Sequence, residues 1–140
     1  MTSASAPARQ ALRERLRAGE PLVGCFVKTA AAPPVEILGL AGLDYAVLDA
    51  EHAPFTAREL DGCILAARAS GLPVLVRLPE ASPAAALQVL DMGAAGIVVP
   101  HVDDAAAARR AVAMAHYAGG ERGFSNSPRA GGYGSLALAE

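Results

Sequence analysis

The segment YAVLDAEHAPF, residues 45–55, runs from an apolar stretch into Asp49, Glu51 and His52 within four positions. These side chains move protons and hold cations. His52 is the natural general base, because an imidazole with an ordinary pKa of about 6.5 gains and loses a proton near neutral pH. Asp49, three positions earlier, is spaced to accept a hydrogen bond from one ring nitrogen, fixing the tautomer and leaving the other nitrogen for substrate. The plainer alternative is that it caps the loop. Glu51 either serves the substrate side, orienting a metal-bound water, or only solvates the loop. Arg77 offers a rigid fork of donors suited to a carboxylate or an enolate oxygen. An acid–base pair beside an oxyanion-holding cation is what proton transfer next to a carbonyl requires. The residues suggest carbon–carbon bond chemistry through an enolate without specifying it.

These charged positions close four short runs rich in β-branched residues: LVGCFVK (22–28), YAVLDA (45–50), PVLVRLP (73–79) and GIVVPHV (96–102). Their apolar residues are nearly continuous, as in strands covered on both faces. Between them lie stretches at helical spacing. PPVEILGLAGL has Pro34 in its first turn and Gly42 near its end. TARELDGCILAARAS opens with Thr56 and Glu59 spaced as a capping box and stops at Gly71. SPAAALQVLDMG offers Ser82 as N-cap, Pro83 at the first helical position and Gly93 as terminator, and DDAAAARRAVAMAHY starts with acidic residues. Strand starts recur about every 25 residues, one strand–helix unit repeated four times. Such alternation predicts α/β architecture with parallel strands and right-handed crossovers, in a doubly wound sheet or a (β/α)8 barrel. Both place chemistry at the carboxyl ends of the strands. Lys28, the Asp49–Glu51–His52 cluster, Arg77 and His101 are therefore expected on one rim. Lys28 is either a rim cation or an edge residue whose stem snorkels, and His101 either a rim group or the cap of the next helix.

Composition narrows the function further. With 140 residues and 53% apolar content the chain reads as one domain able to bury a core. Aromatic residues make up only 4% and the net charge is −2, so neither stacking platforms nor a basic field serve nucleic acid. The densest basic run, Arg9, Arg13, Arg15 and Arg17, falls mostly on the solvent face of an N-terminal helix over 8–20. Cys25 in a strand and Cys63 in a helix lack a spacing pattern and read as buried thiols in a reducing compartment. The N-terminal segment carries no apolar h-region, and no apolar stretch approaches the roughly 18 residues of a membrane span. A cytoplasmic protein without a membrane partner is expected.

Taken in order, GLAGLDYAVLDAEHAPF, LPVLVRLPE, VLDMGAAGIVVPHVDDAAAARRAV and GERGFSNSPRAGGYG resemble one family from about Leu22 to Gly134. It is the metal-dependent (class II) pyruvate-type aldolases typified by 4-hydroxy-2-oxoheptanedioate aldolase and 2-keto-3-deoxy-L-rhamnonate aldolase, within the citrate lyase-like superfamily. The Asp-x-Glu-His and Leu-Asp-x-Gly-Ala-x-Gly-Ile-Val-Val-Pro elements are its distinctive parts. The resemblance implies a (β/α)8 TIM-type barrel and reversible aldol cleavage of a 2-oxo acid. It also implies a divalent cation, Mg²⁺, Mn²⁺ or Co²⁺, holding pyruvate as the enolate that joins or leaves an aldehyde. On matching positions it implies His52 as the base assisted by Asp49, and Arg77 on the carbonyl or enolate oxygen. His52 favours the aldolase branch, because the citrate-lyase branch usually lacks histidine there. A homo-oligomer is implied for the intact protein.

A closed barrel has eight strands and typically about 250 residues. This chain supplies four units over 22–117, a Gly-rich loop over 118–134 and, at 135–140, the start of a helix. It corresponds to the N-terminal half of one barrel domain, as a natural truncation or a fragment, whose uncovered face and edges predict self-association. The metal-binding Glu and Asp that the resemblance implies belong to later strands, beyond Glu140. Glu80 and Asp91 lie in or beside the third of the four helices that follow the strands, away from the rim, so no metal ligand is assigned within the chain. The competing readings are a metal-dependent aldolase, a Schiff-base aldolase using the lone lysine Lys28, and a half-barrel inert on its own. A nucleotide loop in AGGERGFSNSPRAGGYGS is disfavoured, because it follows a helix and lacks the Gly-Lys-Ser/Thr step. Arg122 and Arg129 would bind an anion only if that loop returned to the rim.

Overall fold

The computed structural model describes residues 5–135, with side chains from residue 8 onward. Helix α1 (Ser5–Arg17) leads into β1 (Gly24–Val27), α2 (Ala32–Leu40), β2 (Tyr45–Asp49), α3 (Ala57–Ala69), β3 (Val74–Arg77), α4 (Pro83–Asp91), β4 (Gly96–Val98) and α5 (Ala105–Ala115). A 3-10 segment, Arg129–Gly134, lies inside the Gly-rich loop. Helix starts follow the caps written in the sequence. Thr56 and Glu59 close a capping box on α3, and the Ser82 hydroxyl accepts from the Ala85 N–H at 3.4 Å ahead of α4. The Asp104 carboxylate accepts from the Ala107 N–H at 2.6 Å ahead of α5. The N-terminal helix departs from 8–20: it stops at Arg17, before Gly19 turns the chain through left-handed backbone at φ +70°. Of the segment 135–140 read as a starting helix, residues 136–140 lie outside the described residues.

All four strands are parallel and lie in the order β1-β2-β3-β4. A doubly wound sheet reverses its order at a switch point. This one does not, and it has the order of a TIM-type barrel with four units present. One face carries the helices: Val27, Ala46, Leu48, Val74, Val76 and Leu78 cluster with Val35, Ile64, Val89 and Met114. Register defines the opposite face. Phe26, Val47, Leu75 and Gly96 lie side by side across the strands, and one pleat further on Asp49, Arg77 and Val98 do the same. None of these residues belongs to the core cluster on the helical side; Val47 and Asp49 are nonetheless buried, and Phe26 is 53% exposed. Apolar side chains are also uncovered at both flanks, at Ile37 and Leu40 on α2 and at Val112 on α5. Cys63 is buried and Cys25 half-buried, both as free thiols. Among the described residues no helix is long and apolar enough to cross a membrane.

Helices α2 and α3 approach closely because Gly39 has no side chain. A Cβ there would meet the Ser70 Cβ at 2.6 Å and the Leu72 Cβ at 3.2 Å. Gly39→Ala is expected to destabilise the fold by ~1–3 kcal/mol, the usual cost of overpacking. Gly62, inside α3, faces open space. Gly62→Ala is expected to stabilise by ~0.5–1 kcal/mol through helix propensity. Urea midpoints that move in opposite directions for the two variants verify this packing, and a common direction refutes it.

Candidate active site

The carboxyl ends of the strands meet at one rim. Asp49, the last residue of β2, is fully buried, and the register sets it opposite Arg77, the last residue of β3. Arg77 Nε donates to Asp49 Oδ1 at 2.9 Å and Nη2 donates to Oδ2 at 2.6 Å. A planar guanidinium makes this two-point fork, and an ammonium does not. The backbone N–H of His52 donates to Oδ1 at 3.0 Å, and Lys28 Nζ stands 3.5 Å from Oδ2. The Arg77 hydrogen bonds, helped by the His52 amide, hold the Asp49 carboxyl far below the usual carboxylate range although burial pushes the other way. Asp49 in turn raises the Arg77 pKa.

Beyond β2 the chain bends and brings Glu51 back against the guanidinium, with Oε2 at 3.2 Å from Arg77 Nε. The other oxygen, Oε1, lies 3.3 Å from His101 Nε2 and 3.7 Å from His52 Nε2. Lys28, Asp49, Arg77 and Glu51 alternate in charge across the rim, and the two imidazoles lie beyond Glu51. Arg77 Nη1 has no hydrogen-bond partner among the described residues, and the guanidinium carbon sits 5.2 Å from the Phe26 ring centroid. The fork is thus held by one edge, backed by an aromatic ring, and presents its other edge. His101 adopts left-handed backbone at φ +54°, which costs a non-glycine residue about 1–2 kcal/mol.

Lys28, Asp49, Glu51, His52, Arg77 and His101 all gather at the rim, and for Asp49 and His101 the structure selects between the alternatives the sequence left open: Asp49 caps the loop through the His52 amide, and His101 is a rim group. Asp49 does not meet the His52 ring. Both its oxygens are engaged by Arg77, only the His52 amide reaches it, and the acid nearest the ring is Glu51. Register explains the exchange, since Asp49 lies beside Arg77 within the sheet while His52 follows the bend. Nor does His101 cap α5, a role that Asp104 fills. Lys28 is 59% exposed beside a carboxylate, unlike the desolvated pocket that makes a lysine nucleophilic. Arg122 and Arg129 stay on the helical side. Arg122 Nη2 bonds Asp91 Oδ1 at 2.8 Å, and Arg129 bonds both oxygens of Asp61 and the Met92 carbonyl. Neither guanidinium is offered to an anion at the rim. Phe26 went unnoticed in the sequence, although strand alternation placed it on the same face as Lys28.

The sequence pattern of the family described as HpcH/HpaI aldolase/citrate lyase matches residues 22–130. The chain is 37% identical over 122 residues to the 5-keto-4-deoxy-D-glucarate aldolase of Salmonella arizonae, covering 86% of this chain and 48% of that protein. A solved HpcH/HpaI aldolase from Desulfitobacterium hafniense DCB-2 superposes with a TM-score of 0.76 at 38% identity, over 83% of this chain and 46% of that one. An HpcH/HpaI aldolase/citrate lyase family protein from Burkholderia cenocepacia J2315 superposes with a TM-score of 0.84 at 30% identity, over 89% and 52%. The chain spans about half the length of the curated relatives it matches.

The folded Asp49 carboxyl titrates below its unfolded value of about 3.9, so its ionisation adds stability in full above that pH. That contribution is lost as the pH falls below about 4. Asp49→Asn is expected to abolish this part of the acid dependence in urea titrations run downward from neutral pH. Arg77→Met strips the buried carboxylate of its fork and is expected to lower the urea midpoint more than Lys28→Met, whose ammonium is exposed. Equal losses would contradict the dominance of the Arg77 pair.

Proposed function

Because the chain belongs to the HpcH/HpaI aldolase/citrate lyase family, we propose that it carries the base and the oxyanion-holding cation of an aldolase that reversibly cleaves a 4-hydroxy-2-oxo acid to pyruvate and an aldehyde. The observation behind this reading is the unshared Nη1 edge of Arg77, locked by Asp49 and tied through Glu51 to the His52 imidazole. In the cleavage direction the substrate's 2-oxo oxygen accepts hydrogen bonds from Arg77 Nη1. The negative charge that develops on that oxygen then meets a cation already in place. The His52 imidazole takes the proton of the 4-hydroxyl, the C3–C4 bond breaks, the aldehyde leaves, and the electron pair rests in the enolate. Protonation of C3, with His52 again the donor, gives pyruvate. Condensation reverses these steps. Glu51 keeps imidazole and guanidinium at a fixed spacing, and Phe26 supplies an apolar wall.

The family resemblance also implies a divalent cation, and the described residues do not by themselves form its site. Among them no group of three or more His, Cys, Asp and Glu side chains converges to hold a metal. Asp49 is committed to Arg77, and Glu51 faces Arg77, His101 and His52. A hard cation takes about six or more oxygen ligands.

Exchange of pyruvate C3 protons with deuterated solvent, followed by NMR, isolates the proton-transfer step. In the full protein His52→Ala is expected to slow exchange by ~100- to 10,000-fold, the range of positioned general bases. Arg77→Lys, which keeps the charge and loses the fork, is expected to slow it strongly as well. A normal rate in His52→Ala contradicts the assigned base. Borohydride added with pyruvate is expected to leave Lys28 unmodified, and a stable adduct there would replace this reading with Schiff-base chemistry.

A further inference from the structure

We propose that His101 is a positioning residue that turns Glu51 into a proton relay, connecting the imidazole of His52 with solvent. The inference rests on the aldolase reading above. The same Glu51 oxygen lies within 3.3 Å of His101 Nε2 and 3.7 Å of His52 Nε2. Both imidazoles are exposed, His52 at 60% and His101 at 81%, and the Glu51 side chain between them is covered, at 11%. Substrate seated over Arg77 and His52 would separate the base from water, and His101, arriving from the far strand end, would remain the wet end of the row. Nothing in the local fold otherwise accounts for it, since Asp104 caps α5 and the His101 backbone is left-handed at φ +54°. Unfavourable backbone held at a rim beside titratable groups is a mark of function. The groove on the other side of His101 carries Arg110 and Glu121, and Asp103 and Asp104 follow it in its own loop.

The transfers balance. The His52 imidazolium gives its Nε2 proton to Glu51 Oε1, Glu51 passes a proton to His101 Nε2, and the His101 imidazolium releases one to water. Glu51 and His101 end as they began and His52 is left as neutral imidazole; a deuteron carried inward along the same row makes it an imidazolium again, so that it returns solvent hydrogen to C3. Without the relay, the proton that His52 takes from C3 returns to the same carbon, and net exchange with solvent slows although the base still works.

His101→Asn removes the imidazole and keeps a residue type that tolerates left-handed backbone. In the full protein, pyruvate C3 exchange in deuterated buffer is expected to fall by about 100-fold, the lower end of positioned proton transfer, with KM for pyruvate unchanged. Free imidazole in the buffer is expected to restore the rate, which it would not do for a purely structural defect. Glu51→Gln combined with His101→Asn is expected to be no slower than Glu51→Gln alone, because both interrupt one path. Undiminished exchange in His101→Asn, or a loss that imidazole does not restore, overturns the relay while leaving the aldolase reading intact. Absence of exchange in the unaltered protein, or normal exchange in His52→Ala, fails the aldolase reading and the relay with it.

Discussion

A carboxylate cut off from water is tolerated only when another charge and several hydrogen bonds replace its hydration. Asp49 meets that condition through Arg77, whose Nε and Nη2 fill both oxygens, and through the His52 amide. Each partner is then constrained by the same requirement. The guanidinium cannot rotate without stranding the carboxylate, so its Nη1 edge has one direction. The loop after β2 cannot drift without losing the amide bond, so Glu51 and His52 have one place. A preorganised cation stabilises charge at the moment it forms because no reorientation remains to be done. The geometry of the mouth follows from one buried pair, and the pair follows from the strand register that sets residue 49 beside residue 77.

Other ion pairs in the chain fasten its segments together. At the opposite end of the sheet Arg15 holds Asp44 at 2.6 Å, and Asp44 also accepts from the Val23 N–H at 2.7 Å, tying α1 to the start of β1. Arg129 with Asp61 and Arg122 with Asp91 strap the Gly-rich crossover over α3 and α4. These arginines find partners in the helices or in the loop before β2, and their attachments close segments on one another. At the rim the network is different. Arg77 keeps a donor edge, two imidazoles share one carboxylate oxygen, and the aromatic face beneath is open. The pleat that carries no helices is the same surface on which Arg77, Glu51 and the two imidazoles stand.

Most of the fold could be read from the chain. Capping residues at Thr56, Ser82 and Asp104 and terminators at Gly42, Gly71 and Gly93 act through neighbours a few residues away, so local pattern suffices. The gathering of Lys28, Asp49, Arg77 and His101 was legible because parallel strands all finish at one end. Pairings within that gathering were not. Which group faces which depends on register between strands and on the bend after β2, and neither is written in spacing. Sequence proximity suggested Asp49 for the His52 ring, whereas a residue 28 positions away claims Asp49 and leaves the ring to Glu51. The left-handed turn at His101 was equally hidden, because histidine gives no glycine-like signal for it. Sequence order still separated two architectures only in part, and strand order in the sheet decided between them.

The central claim is that the Asp49-locked guanidinium and the His52 imidazole address one ligand. Oxalate, a planar dianion shaped like enolpyruvate, probes it directly in a titration followed by nitrogen NMR of the Arg77 side chain and the His52 ring. The account predicts that both sets of signals move along one binding curve and that Asp49→Asn weakens it. Oxalate that shifts the imidazole while the Arg77 signals stand still would contradict a shared site.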